Sequence, residues 1–129
     1  MMKLSSLALG IMAFASVSVH AADIEVKVQN LTHGTYFTPL VVTTHKESAK
    51  LFTVGSPASM SLTKLAEGGS IADVAADFKA AGAMVSENPA SGLLAPSKTT
   101  TLMLSTNDTN KYLSLAAMIL PSNDGFVAA

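Results

Sequence analysis

The spacing of apolar residues in three stretches constrains this chain more than any other feature. Asp23 to Asn30 alternates strictly, with Ile24, Val26 and Val28 set against Glu25, Lys27 and Gln29. Only an extended backbone sends every second side chain to the same face, so this stretch is a strand with one face buried. Lys98 to Thr106 repeats the pattern, turning Leu102 and Leu104 inward. Lys111 to Leu120 differs: after Ser114 nearly every position is apolar, as in a strand covered on both faces. Half-buried strands beside a doubly covered one require stacked layers, and the expected class is all-β, an antiparallel β-sandwich with one or two short inserted helices.

The remaining elements fit between these strands. Leu31 to Gly34 turns the chain, and Tyr36 to Thr44, rich in β-branched and aromatic residues, reads as a second strand. Pro39 inside it cannot donate to a ladder, so it marks an edge or a bulge. Leu51 to Val54 is a brief extended piece before Gly55. Ser56 and Pro57 then form a helix start, followed by a short apolar stripe of Met60, Leu62, Leu65 and Ala66 that ends at Gly68 and Gly69. Ser70 with Asp73 is a weaker relative of the capping box, and Ile71, Val74, Ala75 and Phe78 recur at helical spacing. Ala83 to Ser86 is a short strand, Glu87 to Ser97 a loop punctuated by Pro89, Gly92 and Pro96, and Asn107 to Asn110 a turn.

The start of the chain belongs to export rather than to the fold. Lys3 precedes an apolar run from Leu4 to Val19, and Val19-His20-Ala21 carries compact residues where a signal peptidase reads. Residues 1–21 are expected to be a secretory signal peptide cut between Ala21 and Ala22. The run falls short of the ~20 residues that span a bilayer, so no transmembrane segment is expected. Residues 22–129 make one domain, periplasmic or secreted. The chain has no Cys, which leaves it neither a disulfide nor a lipid-bearing N-terminal thiol, and packing must stabilise it. With 49% hydrophobic and 13% charged residues, disorder is excluded. All eight basic residues are Lys and they do not cluster, which argues against a nucleic-acid partner and against a polybasic membrane patch.

Several stretches together resemble one family: Val28-Gln29-Asn30-Leu31-Thr32, Phe37-Thr38-Pro39-Leu40-Val41-Val42, His45, Leu51-Phe52 with Gly55-Ser56-Pro57-Ala58-Ser59, Leu65-Ala66-Glu67-Gly68-Gly69, and Met118 through Val127. In order and spacing they are similar to the bacterial form of the spondin N-terminal domain, the F-spondin and mindin type. The resemblance implies an extracellular β-sandwich with a calcium ion held by acidic loops at one end. It also implies that Asp124, in the Pro-Ser-x-Asp turn, is one metal ligand. The family's other acidic ligands lie in a later Asp-Ala-Gly-Thr-Asp/Glu stretch, and this sequence stops at Ala129 before any such stretch, so the expectation is a C-terminally truncated domain with an incomplete site. Calcium takes 6 to 8 oxygen ligands, roughly, so binding through Asp124 is expected to be weak or absent. Asp108 cannot complete the shell, because a strand of about 30 Å separates its turn from that of Asp124. Asp124-Gly125 after an apolar strand is equally a hairpin signal that needs no metal.

Other chemistry is thinly represented. His33 and His45 are the histidines outside the leader, and with Met84, Met103 and Met118 they offer an alternative, periplasmic copper handling, although Met103 and Met118 sit in strand patterns where Met usually fills core. No Gly-x-Ser-x-Gly elbow or comparable motif singles out a nucleophile, so no enzyme is expected. Asn30-Leu31-Thr32 and Asn107-Asp108-Thr109 fit the glycosylation sequon but read as turns. The expected function is an exported non-enzymatic binding or adhesion-type domain for an unidentified surface ligand such as a matrix or surface glycan, with a truncated product of little function as a further alternative. If the strand ending at Leu120 lacks a neighbour, its open edge leads to self-association.

Overall fold

A computed structural model of the chain describes residues 21–129, so the expected leader lies outside the described residues except for its last position. The elements run β1 (Ala22–Gln29), β2 (Tyr36–Phe37), β3 (Val41–His45), α1 (Met60–Gly68), α2 (Ala72–Ala80), β4 (Met84–Glu87), β5 (Thr99–Thr106), β6 (Tyr112–Leu120) and β7 (Phe126–Ala128). The two alternating strands pair with each other: β1 and β5 form an antiparallel ribbon from Ala22 opposite Thr106 to Gln29 opposite Thr99. The larger antiparallel sheet is built around β6, with β3 and then β4 on one side and β7 on the other.

β2 and β3 are one strand interrupted at Pro39. Phe37 lies opposite Ile119 and Val41 opposite Ala116, so Thr38, Pro39 and Leu40 face only Ala117 and Met118, and the extra residue is a bulge. Pro39 therefore marks the bulge and not a sheet edge; β3 is interior, and all five of its residues are buried. Thr38 closes the gap, its amide donating to the Met118 carbonyl (3.0 Å) and its Oγ1 accepting from the Met118 amide (3.0 Å).

Three layers result. On one face of the sheet, Leu40, Val42 and Ala117 pack against Val26, Val28, Leu102 and Leu104 of the ribbon, with Phe37 and Leu94 completing the core. On the opposite face, Val41 and Ala116 meet Leu62, Leu65, Val74, Ala75 and Phe78 of the helices. The expected antiparallel sandwich with inserted helices is the observed fold, and the helices cover the outer face of its larger sheet. The run in β6 is apolar on both sides because both faces are covered.

Local details depart from expectation. α1 begins at Ser59, not at Ser56-Pro57: the Ser59 hydroxyl accepts from the Leu62 amide (3.1 Å) and satisfies one donor of the first turn. Met60, expected in the apolar stripe, is exposed. At α2 the cap position is Ile71 without any side-chain cap bond, so Ser70 and Asp73 form no capping box. Asp73 instead pairs with Lys64 of α1 and holds that ammonium above the usual lysine value, chiefly through their hydrogen bond. Leu51–Val54 forms no strand; the chain there enters a turn closed by the Ser56 amide on the Thr53 carbonyl (3.0 Å). Finally, β6 has neighbours on both sides, since β7 pairs with Ala116 to Met118 and Ala129 exchanges backbone bonds with Leu115. The open edge expected on that strand is covered there.

Candidate functional site

The turn joining β6 to β7 carries Asp124 at the end of the sheet. Asp124 is exposed and adopts the left-handed conformation at φ 62°, which Asp tolerates better than most residues. Ser122 organises the turn: its hydroxyl donates to the Ile119 carbonyl and accepts from the Gly125 amide (3.1 Å), while the Ile119 amide bonds the Gly125 carbonyl (2.9 Å). A Cβ on Gly125 would fall 2.7 Å from the Ser122 Oγ, which explains the glycine. The Ser122 oxygen is thus already engaged, and among the described residues no group of three or more His, Cys, Asp or Glu is placed to hold a metal ion. One carboxylate against the several oxygens calcium requires is not a calcium cage, and the residues present do not fit that ion as a resident cofactor.

Beside this turn the surface becomes apolar. Tyr36, Leu93, Leu120 and Pro121 line a hollow of about 350 Å³. Tyr36 is positioned by its pairing with Leu120, and Leu93 is presented by the loop whose next residue, Leu94, bonds the Phe37 backbone in both directions (2.9 and 3.1 Å). The Tyr36 and Leu93 side chains are exposed. Apolar groups held open on rigid backbone beside a free carboxylate suit a ligand that has both an apolar face and polar groups.

His45 occupies a second hollow, of about 340 Å³, with Tyr112, Phe52, Glu47 and Ser114 in its wall. Its ring is nearly buried, 5.1 Å from the Phe78 ring centre and 6.1 Å from that of Tyr112. Nδ1 lies 2.8 Å from the Lys46 carbonyl, which can only accept, so Nδ1 carries the proton and Nε2 accepts from the Ser114 hydroxyl at 3.0 Å. Sequence reasoning did not find this Ser–His contact, which joins residues 69 positions apart. Backbone carbonyl, imidazole and hydroxyl satisfy one another, and no carboxylate orients the ring as a hydrolytic triad would require.

The copper candidates do not converge. Both His45 nitrogens are engaged and His33 is exposed. Met118 is buried, four residues along β6 from Ser114, a span of about 13 Å. Met84 lies opposite Thr44 on β4. Met103, expected as core filler, is 59% exposed, because it lies on the outer face of the ribbon opposite Glu25. Asp108, exposed in the turn before β6, is at the far end of that strand from Asp124. Of the sequons, Asn30 is fully buried with its amide nitrogen bonded to the carbonyls of Thr35 (2.8 Å) and Leu94 (2.9 Å), which leaves no access for a glycan.

Comparison with known proteins adds one finding. The family model described as Spondin_N matches residues 27–129, from the second half of β1 through β7. No curated protein and no solved structure matches the chain.

Proposed function

Because this chain belongs to the spondin N-terminal domain family, a non-catalytic family of extracellular domains, we propose that it is an exported, non-enzymatic binding domain that attaches to a matrix or glycan at the cell exterior. Residues 1–21 direct export and are removed, leaving a periplasmic or secreted domain that starts near Ala22. The observation that carries this reading is the family match over residues 27–129, joined to the exposed apolar hollow at the Asp124 end of the sheet.

In this reading Tyr36, Leu93, Leu120 and Pro121 bind the ligand's apolar face, and Asp124 meets its hydroxyls. One carboxylate supplies too few of the oxygens calcium requires, so the ion has no part in this reading. Neither the His45–Ser114 contact nor the scattered Met residues take part.

An array of matrix proteins and surface glycans, probed with the exported protein and with Leu93→Asp, tests the proposal. Binding to a defined subset, lost in Leu93→Asp while its circular dichroism is unchanged, supports it; binding of equal strength by both proteins overturns it. Calorimetric titration with calcium is expected to give no tight site, and submicromolar binding would refute the statement that these residues do not fit the ion.

A further inference from the structure

The geometry points to an interaction surface at the other side of the molecule: we propose that β1 pairs edge to edge with β1 of a second copy of this chain, in one definite register. β1 bonds only β5 among the described residues, so one of its edges is free. A groove of about 520 Å³ lies at the Lys27–Gln29 end of this edge, with Val127 and Ala129 on its other side, so none of the described residues fills the space there.

Which backbone groups face that edge follows from the ladder. Asn30 exchanges bonds with the β5 side, its amide donating to the Lys98 carbonyl (2.9 Å) and its carbonyl accepting from the Ser97 amide (2.8 Å). In an antiparallel pair the direction of these groups alternates residue by residue. The even-numbered residues Ile24, Val26 and Val28 therefore bond β5, and the amides and carbonyls of Asp23, Glu25, Lys27 and Gln29 point outward, unpaired. A second strand must meet these odd positions with odd positions of its own.

Charge then selects among the two-fold registers. Centring the pair on Glu25 or on Lys27 sets like charges opposite each other. Centring it on Val26 sets Glu25 opposite Lys27 of the second copy, and the reverse, with Asp23 opposite Gln29 at each end. Centring on Ile24 sets Asp23 opposite Glu25, and centring on Val28 sets Lys27 opposite only Gln29, so the Val26 register alone brings opposite charges together with no like pair; it gives about eight backbone hydrogen bonds with two cross-strand ion pairs. Val26 meets its own copy at the axis, so the apolar row of the ribbon continues into the second molecule. Charged residues commonly guard an edge against pairing. Here they are arranged to select one partner, a strand with the same sequence running the opposite way, and the present contact between Lys27 and Glu25 within one strand (2.9 Å) is re-made between molecules.

Sedimentation of the purified exported protein over a concentration series, at low salt, decides the matter. The wild type is expected to form dimers. Glu25→Lys and Lys27→Glu, both at exposed positions, each place like charges opposite in every pair and are expected to weaken dimerisation roughly tenfold or more. Mixed one to one, the two variants regain complementary pairs and should associate at least as tightly as the wild type. A wild type that stays monomeric up to about 1 mM overturns the proposal. So do single variants that dimerise as the wild type does, or a mixture no stronger than its components.

Discussion

Replacing Asn30 with Ala should be among the most damaging single changes in the domain, although no apolar volume of consequence is lost. Asn30 is fully buried where the end of β1, the 31–35 turn and the Leu94 loop converge. Its Nδ2 donates to the Thr35 and Leu94 carbonyls at 2.8 and 2.9 Å, and its Oδ1 accepts from the Thr32 amide at 3.0 Å and the Thr32 hydroxyl at 2.7 Å. All four polar positions of the side chain are used. At about 1 kcal/mol net for each bond, plus the desolvation left at a buried carbonyl, the loss comes to about 3–5 kcal/mol. That is a large part of the 5–15 kcal/mol, roughly, that holds such a domain folded, and it corresponds to a fall in melting temperature of about 15–30 °C. Asn30→Asp keeps the shape and the acceptor but turns a carboxylate toward two carbonyls, so it should cost at least as much at neutral pH. Urea unfolding followed by far-ultraviolet circular dichroism measures both. A loss below about 1 kcal/mol in Asn30→Ala, or an Asn30→Asp protein as stable as wild type, would refute the reasoning.

Other perturbations probe the layers separately. Thr43 is buried on the helix-facing side of β3 with its hydroxyl unpartnered, so Thr43→Val should raise stability by about 1 kcal/mol in the same unfolding assay, and a loss would show that the hydroxyl has a partner. Gly69 ends α1 at φ 67° with Thr38 Cγ2 only 3.1 Å from where a Cβ would lie; Gly69→Ala should cost about 1–2 kcal/mol or more, and a neutral result would contradict the packing of that cap on the bulge. The Lys64 pKa is raised by Asp73, so whatever stability it lends is full below the ordinary lysine value of 10.5 and fades as pH rises through the raised value. Asp73→Asn should therefore lower the Lys64 titration seen by NMR, with no change in the pH dependence of stability between about pH 6 and 9; an unmoved titration would mean that the ion pair does not form in solution.

What the sequence disclosed and what it withheld divide along physical lines. Period-two alternation reports which face of a strand is buried, and Ile24, Val26, Val28, Leu102 and Leu104 are all turned inward as that rule requires. It does not report which strand lies alongside. The pairing of β1 with β5, some seventy residues on, and the flanking of β6 by β7 are long-range outcomes, so whether β6 had a neighbour on each side was not legible in its own pattern. A signal for Asn30 was present: it is in phase with Val26 and Val28, so a polar side chain there had to face inward and be fully bonded. Ser56-Pro57 drew the start of α1 three residues too early; the cap is Ser59, three residues before the buried Leu62 whose amide it accepts. Met103 looked like core because Met usually is, yet its odd number in the Leu102–Leu104 alternation turns it outward. The acidic turn was legible as a hairpin, whereas the hollow beside it was not, because Tyr36, Leu93 and Pro121 come from three separate segments.

Binding to the outside of the producing cells tests the central claim most directly. Labelled exported protein, added over a concentration series to cells lacking their own copy, should bind saturably. Leu93→Asp should weaken binding by tenfold or so, whereas Ser114→Ala, in the hollow that has no part in it, should bind as the wild type does. Unsaturable binding, or binding that depends on Ser114 and ignores Leu93, would contradict the account.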